Sequence, residues 1–382
     1  MKRTSRQRGG KAGRWGAMTP PRRMVGAVIW IGAFVVSVMI TGRTDAELLP
    51  ELEAVDAQIA HAITDRPDDT PEPWHVEQRI QALIPDARDN CLPVTAKPQA
   101  FHERTATPAQ VALEAALRQI RQSDVGAWMV QVAATQQVTI CLDHGTELEA
   151  HYRAHLHLIG LNARLDPAGR VVFLAHELAH VPQHPRFSNN RQFAPADMVL
   201  LQRVREAAAE AVATRVLWQL RQQGVNAPWR KKLTTAYHDI AEAFEASMAE
   251  GDGAGRELWA TRSAFHHWFT ADWRLEIYDD LMLRTLRRIA DDPIGLVPAS
   301  RHLSDGYLRS IADYASQRFL ISGDGEALIS SFRAHELPAG GQARLNAIIA
   351  TAGEGYPLEP PAFTGETLSA ISPPRVMPDQ DR

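Results

Sequence analysis

A helix punctuated at both ends constrains this chain most. Asp166-Pro167 opens it and Pro182 closes it. An Asp at the N-cap can accept an N–H of the first turn, and proline at the first helical position gives up a donor that had no partner. Pro182 cannot extend a helix and moves Val181 away from helical angles. The spacing therefore predicts a helix from Pro167 to about Val181. Its middle, Val171-Val172-Phe173-Leu174-Ala175, is apolar without a break, so the helix must be buried. The next residues are nevertheless His176-Glu177-Leu178-Ala179-His180. Buried polar side chains need partners. Residues four apart share a helix face, so His176 and His180 point at one place, and a metal ion there partners both. Zinc fits this donor type: it takes nitrogen and oxygen ligands at about 2.0–2.2 Å, with one position left open in catalytic sites. Glu177, beside the first histidine, reaches a metal-bound water and can take its proton as that water attacks a carbonyl. A buried helix whose histidines are satisfied by protein groups would show the same five residues.

A third ligand is needed, and the helix expected after Pro195 offers one. Glu206 and Glu210 lie four apart on one face. At about 100° per residue, Val199, Ala213 and Leu217 share that face, so it is not an ordinary solvated acidic stripe. Two carboxylates among apolar side chains need compensation. A metal facing Glu206, with Glu210 accepting a hydrogen bond from a ligand histidine, provides it; such outer bonds fix the ligand's tautomer and orientation. The spacing alone also admits Glu210 as the ligand, with Asp197 as the next candidate. An exposed pair flanked by Arg203 and Arg205 is the competing reading.

These residues resemble the gluzincin class of zinc metallopeptidases, which has His-Glu-x-x-His on one helix and a downstream Glu opening Glu-x-x-x-Asp on a second. Here the second element is Glu206-Ala207-Ala208-Ala209-Glu210, with Glu in place of Asp. The resemblance implies His176, His180 and Glu206 as zinc ligands, Glu177 as general base and Glu210 behind a ligand histidine. The metzincin pattern does not fit, because it asks for glycine at position 183 and histidine at position 186, where this chain has Gln183 and Arg186. The resemblance spans roughly residues 105–220. It implies an α+β fold: a zincin-like catalytic domain of helix, small mixed sheet and two metal-bearing helices, followed by a mainly helical C-terminal lobe.

Composition adds limits. The chain has 382 residues, 45% hydrophobic and 23% charged, with a formal net charge of −4. That balance suits a globular protein of one large or two modest domains and argues against nucleic acid as the main partner. Residues 1–23 are basic without an acid, and residues 24–41 carry no charge. A bilayer needs about 17–25 apolar residues, and the basic flank places the N-terminus in the cytoplasm. The expectation is an uncleaved signal-anchor at 24–41, with the rest outside. A cleaved signal would need a better site than Thr44-Asp45-Ala46, and a buried core helix is the third option. Residues 42–105 are rich in proline and charge and read as a stalk with a short helix near 75–84. Cys91 and Cys141 are the two cysteines; in an oxidising space they can bridge stalk to catalytic domain, and two unpaired buried thiols are the alternative.

The catalytic domain is expected over 106–223. Thr107-Pro108-Ala109-Gln110 is a capping box that starts a helix running to about Gln122. Strand-like runs follow at 127–133, 138–142 and 155–162. By resemblance, the last edges the cleft and pairs with an extended peptide substrate; its His155 and His157 could be read as extra ligands, but they alternate on one strand face and are expected to be solvated. Residues 183–195 are a loop, with His184 at the cleft rim. The helical lobe covers 224–355, with helices at 227–250, 256–269, 272–290, 305–319 and 341–352. Tyr237, His266, His267 and Tyr278 are candidates to stabilise an oxyanion. Residues 356–382 are proline-rich and expected to be disordered. The function expected is peptide hydrolysis at the cell envelope. A zinc-stabilised, non-catalytic envelope scaffold or binding protein is the alternative from another class, and a metal-free helical domain a third.

Overall fold

The computed structural model describes residues 27–31, 34–38, 80, 84, 86–99 and 106–351, with breaks at 147–148, 184–192, 251–252, 254, 292–295, 297–302, 335–336 and 338–339. The basic leader, most of the expected stalk, His184 and the proline-rich tail lie outside these. Within 24–41, β1 (Ala27–Ile31) and β2 (Phe34–Val38) pair antiparallel. Their Val, Ile, Phe and Trp content suits strands as readily as an apolar helix. No helix among the described residues is long and apolar enough to cross a membrane.

The fold is mixed α+β, mostly helical, with one small mixed sheet. After α1 (Ala87–Asn90), β3 (Cys91–Pro93) leads to α2 (Pro108–Ile120). The capping box forms: Thr107 Oγ1 accepts from Gln110 N at 3.2 Å and Thr107 N donates to Gln110 Oε1 at 3.1 Å. Where a strand is expected at 127–133, the chain forms α3 (Asp124–Thr135) instead, capped by Ser123 Oγ on Gly126 N. Val125, Met129, Val130 and Ala133 are buried, and their spacing is helical rather than alternating. Gly126 lets the two helices meet, since a Cβ there would lie 2.2 Å from Ile120 O.

Next come β4 (Thr139–Asp143), β5 (Ala150–Arg153) and β6 (Leu158–Asn162). The sheet order is β3-β4-β6-β5, with β4 parallel to β6 and the outer pairs antiparallel. This corrects the cleft-edge assignment: β6 is flanked by β4 and β5, and the outer strands are β3 and β5. Residues 154–156 form a 3-10 turn and His157 is left-handed at φ 49°. The two histidines therefore do not alternate along a strand, and His157 is half-buried rather than solvated. Gly160 faces His151 across the β5–β6 pair; a Cβ there would lie 2.3 Å from the imidazole. Cys91 and Cys141 are directly opposed on β3 and β4 and form a disulfide.

The histidine-bearing helix, α4 (Pro167–His180), starts as its punctuation predicts, Asp166 Oδ1 accepting from Gly169 N at 2.6 Å. Every residue from Val171 to His180 is buried. Helix α5 (Pro195–Gln222) is buried nearly all round, from Met198 to Trp218. It carries no amphipathic stripe because it has no solvent side; it packs against α4 and the helices that follow. Its internal charges are paired, as with Arg203 Nε and Asp279 Oδ1 at 2.6 Å.

The expected helix at 227–250 breaks into α6 (Ala227–Lys232) and α7 (His238–Glu250). Thr234 and Thr235 hydroxyls bond back to Lys231 O and Lys232 O, local bonds that compete with helix continuation. Then follow α8 (Arg256–Trp268), α9 (Asp272–Asp291) and α10 (Asp305–Ile311). The helix expected to reach 319 stops there, and β7 (Asp313–Tyr314) pairs with β8 (Gln317–Arg318). Ala315 and Ser316 both have positive φ, the backbone of a type I′ hairpin turn. Helices α11 (Asp324–Ala334), not anticipated, and α12 (Gly341–Thr351) complete the described chain. One hydrophobic cluster runs from Leu92 to Ile349, so the later helices share a core with the sheet and the histidine helix.

Candidate metal centre

Among the described residues, one group of His, Cys, Asp and Glu side chains converges as metal ligands would: His176, His180 and Glu206, with ligand atoms within 4.8 Å of one another. Helix periodicity aligns the histidines, and the packing of α5 across α4 brings the carboxylate to them. His176 Nε2 and His180 Nε2 are 2.9 Å apart, and Glu206 Oε2 lies 3.6 Å from the first and 3.4 Å from the second. All three residues are at most 2% exposed.

The protonation of the rings follows from their other nitrogens. His176 Nδ1 faces Glu210 Oε2 at 2.9 Å, and His180 Nδ1 faces Gln183 Oε1 at 2.9 Å. Both partners are acceptors, so each ring holds its proton on Nδ1 and turns an Nε2 lone pair inward. Glu206 Oε2 has no hydrogen-bond partner, while Glu206 Oε1 accepts from Gln202 Nε2 at 2.7 Å. Two lone pairs and one carboxylate oxygen thus meet, which is a place for a cation. Its dimensions suit a small four-coordinate ion. Ligands at about 2.05 Å in a tetrahedron stand about 3.3 Å apart, against the observed 2.9, 3.4 and 3.6 Å; a point about 2.05 Å from all three atoms lies about 0.7 Å off their plane, as a tetrahedron requires.

Charge agrees with this. Burial lowers the His176 imidazole to about 4, although Glu206 works against that, and burial lowers His180 too. Burial alone would raise the Glu206 carboxyl, but His180 and His176 bring it down to about 2. At neutral pH the rings are neutral and the carboxylate is charged, the states a metal needs.

Glu177 is fully buried, and neither of its carboxylate oxygens has a hydrogen-bond partner. Burial, and then the Glu206 charge, push its carboxyl well above the usual range. A carboxyl poised high and left unpartnered, within electrostatic reach of Glu206, is able to take up or give a proton there.

The two acids of α5 separate: Glu206 lies with the two Nε2 atoms and Glu210 stands against His176 Nδ1. Asp197 lies more than two turns before Glu206 and outside the group. Three further residues were not anticipated. Gln202 occupies one oxygen of Glu206, Gln183 holds His180, and Lys232, at the end of α6, pairs with Glu210 Oε1. Only Gln202 and Gln183 had a signal, helical spacing from Glu206 and His180; nothing local marks Lys232, which burial lowers to about 7. Of the oxyanion candidates, Tyr237 and Tyr278 are buried with hydroxyls 3.0 Å apart, and Glu206 contributes to raising the Tyr278 phenol. His266 and His267 are turned to Asp324 and Asp239, at 3.8 and 3.3 Å.

No curated protein and no solved structure matches the chain. A family model does, over residues 86–318, well over half of the chain and all of the elements from α1 to β8 that build this centre. The chain belongs to the family described as "Putative metallopeptidase family (DUF6782)".

Proposed function

We propose that this chain is a zinc-dependent peptidase of gluzincin type, with a zincin-like core and a helical C-terminal part. One observation carries the reading: three unprotonated donor atoms of His176, His180 and Glu206 meet at tetrahedral spacing beside the unpartnered carboxylate of Glu177. Bound there, zinc would polarise a peptide carbonyl and acidify a water. Glu177 accepts the proton of the attacking water and returns it to the leaving amine. Glu210 and Gln183 keep the rings oriented, and Gln202 leaves a single Glu206 oxygen facing the centre. The surrounding core excludes bulk water and strengthens each of these interactions.

The location proposed is the outer side of a membrane, with residues 24–41 as anchor and a peptide or protein as substrate. The Cys91–Cys141 disulfide supports an oxidising compartment. The second reading is a zinc-stabilised scaffold, favoured by burial, since Glu177, His180 and Glu206 show no exposure. Zinc content and peptide-library cleavage by four proteins separate the readings. Glu206→Gln should lose most zinc and all activity. Glu210→Gln should bind zinc about 10–100-fold more weakly and retain some turnover. Glu177→Gln should keep full zinc and lose about 10²–10⁴-fold in rate. A wild type that holds zinc and cleaves nothing in the library supports the scaffold; one that holds none removes both readings.

A further inference from the structure

We propose that Tyr314 is a positioning residue of the metal centre, acting through Gln183 on His180. Tyr314 sits on β7, far along the chain from the histidine helix. Its hydroxyl nevertheless donates to Ala179 O at 3.0 Å and accepts from Gln183 Nε2 at 2.8 Å. Ala179 O belongs to the last turn of α4 and, as a carbonyl oxygen, can only accept, so the hydroxyl's single proton is committed there. Its remaining capacity is as acceptor, and the Gln183 amide must bring a donor to it.

The second amide proton of Gln183 is committed as well, since Nε2 donates to Arg205 O at 3.0 Å. A flipped amide would set its carbonyl oxygen against the Arg205 carbonyl and against a hydroxyl with no proton to give. The amide therefore has one orientation, and Oε1 faces His180 Nδ1 at 2.9 Å. That orientation makes His180 the Nδ1–H tautomer with its Nε2 lone pair toward Glu206. The β7–β8 hairpin thus sets the tautomer of a ligand on α4. The two ligand histidines are held by different means: His176 by a carboxylate paired with Lys232, His180 by a neutral amide pinned from the hairpin. Gln183 is fully buried, so no water substitutes for the lost hydroxyl without repacking. The metal part of this proposal rests on the reading of the trio as a zinc centre; the tautomer part does not.

The test uses the full chain and three variants: Tyr314→Phe, Gln183→Leu and the double variant. Tyr314→Phe keeps the ring and its edge contact with Trp128, centroids 5.9 Å apart. Zinc affinity is read by chelator competition. Gln183→Leu should weaken it about 10–100-fold and Tyr314→Phe about 2–10-fold. In the Gln183→Leu background, Tyr314→Phe should cost nothing further, because the path through the amide is already gone. In the metal-free protein with ¹⁵N-labelled histidine, His180 should be the Nδ1–H tautomer in wild type and a mixture in Tyr314→Phe. An undiminished loss in the double variant overturns the proposal. So does an unchanged tautomer, or an unfolded Tyr314→Phe, since a positioning hydroxyl leaves the packing of the ring intact. If the wild type binds no zinc, the metal-centre reading fails, and the tautomer measurement alone decides.

Discussion

Reducing the Cys91–Cys141 disulfide should be costly to the fold and harmless to the metal centre. The bridge closes a loop with a sequence separation of 50. The chain-entropy relation for a loop of that size gives about 14 cal/mol/K, or about 4 kcal/mol at 25 °C. At about 2–4 °C per kcal/mol for a domain of 150–250 residues, the midpoint should fall by about 8–16 °C. The structure says where the loss acts. The bridge reinforces the β3–β4 ladder, and Thr107 Oγ1 on Asp89 O with Gln110 Nε2 on Arg88 O and Cys91 O ties α1 and β3 to the start of α2. Ile84 and Ala87 pack in the small cluster under the bridge. None of these groups touches His176, His180 or Glu206. The assay is thermal unfolding with and without reductant, repeated on Cys91→Ala/Cys141→Ala, with zinc affinity measured in parallel on folded protein. A midpoint moved by less than about 2 °C, or two free thiols in protein purified without reductant, would refute the reasoning.

Glu177→Gln should stabilise the metal-free chain in a pH-dependent way. Burial and the Glu206 charge raise the Glu177 carboxyl above its ordinary 4.5, so the folded chain holds this proton more tightly than the unfolded one. Wild type therefore loses stability as pH climbs above about 4.5, while the amide does not titrate; urea midpoints should coincide near pH 4 and favour the variant at pH 7, and identical midpoints at both would contradict this. Lys232→Met should destabilise the metal-free fold by about 3–5 kcal/mol, because it leaves the buried Glu210 carboxylate without its ammonium. Adding Glu210→Gln should recover most of that in urea unfolding, and a cost below about 1 kcal/mol for the single variant would show that the pair is not a buried ion pair.

The parts of the fold legible in the sequence are those with local chemistry at their ends. Thr107 and Gln110 cap α2 as their spacing requires, and Asp166-Pro167 starts α4 at the expected residue. The pairing of Glu206 and Glu210 with the histidines was legible because carboxylates four apart sat among Val199, Ala213 and Leu217, where solvent could not satisfy them. Helix α3 was misread because Val, Ala and Met in a short run suit either period, and only packing decides. The break after Lys232 depends on threonine hydroxyls that a helix tolerates elsewhere. The order β6 before β5 at the sheet edge was illegible because a strand's neighbours depend on the whole topology. Lys232 and Tyr314 were missed for the same reason: each reaches the centre from an element brought in by tertiary packing alone.

The burial of α5 on all sides has a consequence for the chain during synthesis. His176 and His180 are made long before Tyr314, and the core that surrounds α5 draws side chains from Leu92 to Ile349. A nascent chain that has just emitted its histidine helix has neither the partner of Gln183 nor the enclosure that keeps Glu206 dry. Metal captured at that stage would meet mobile, hydrated donors and exchange readily. On the reading of the trio as a metal centre, a metal would be held firmly only once the last helices have closed over α5, and a chain truncated before β7 should retain metal poorly even though it contains His176, His180 and Glu206.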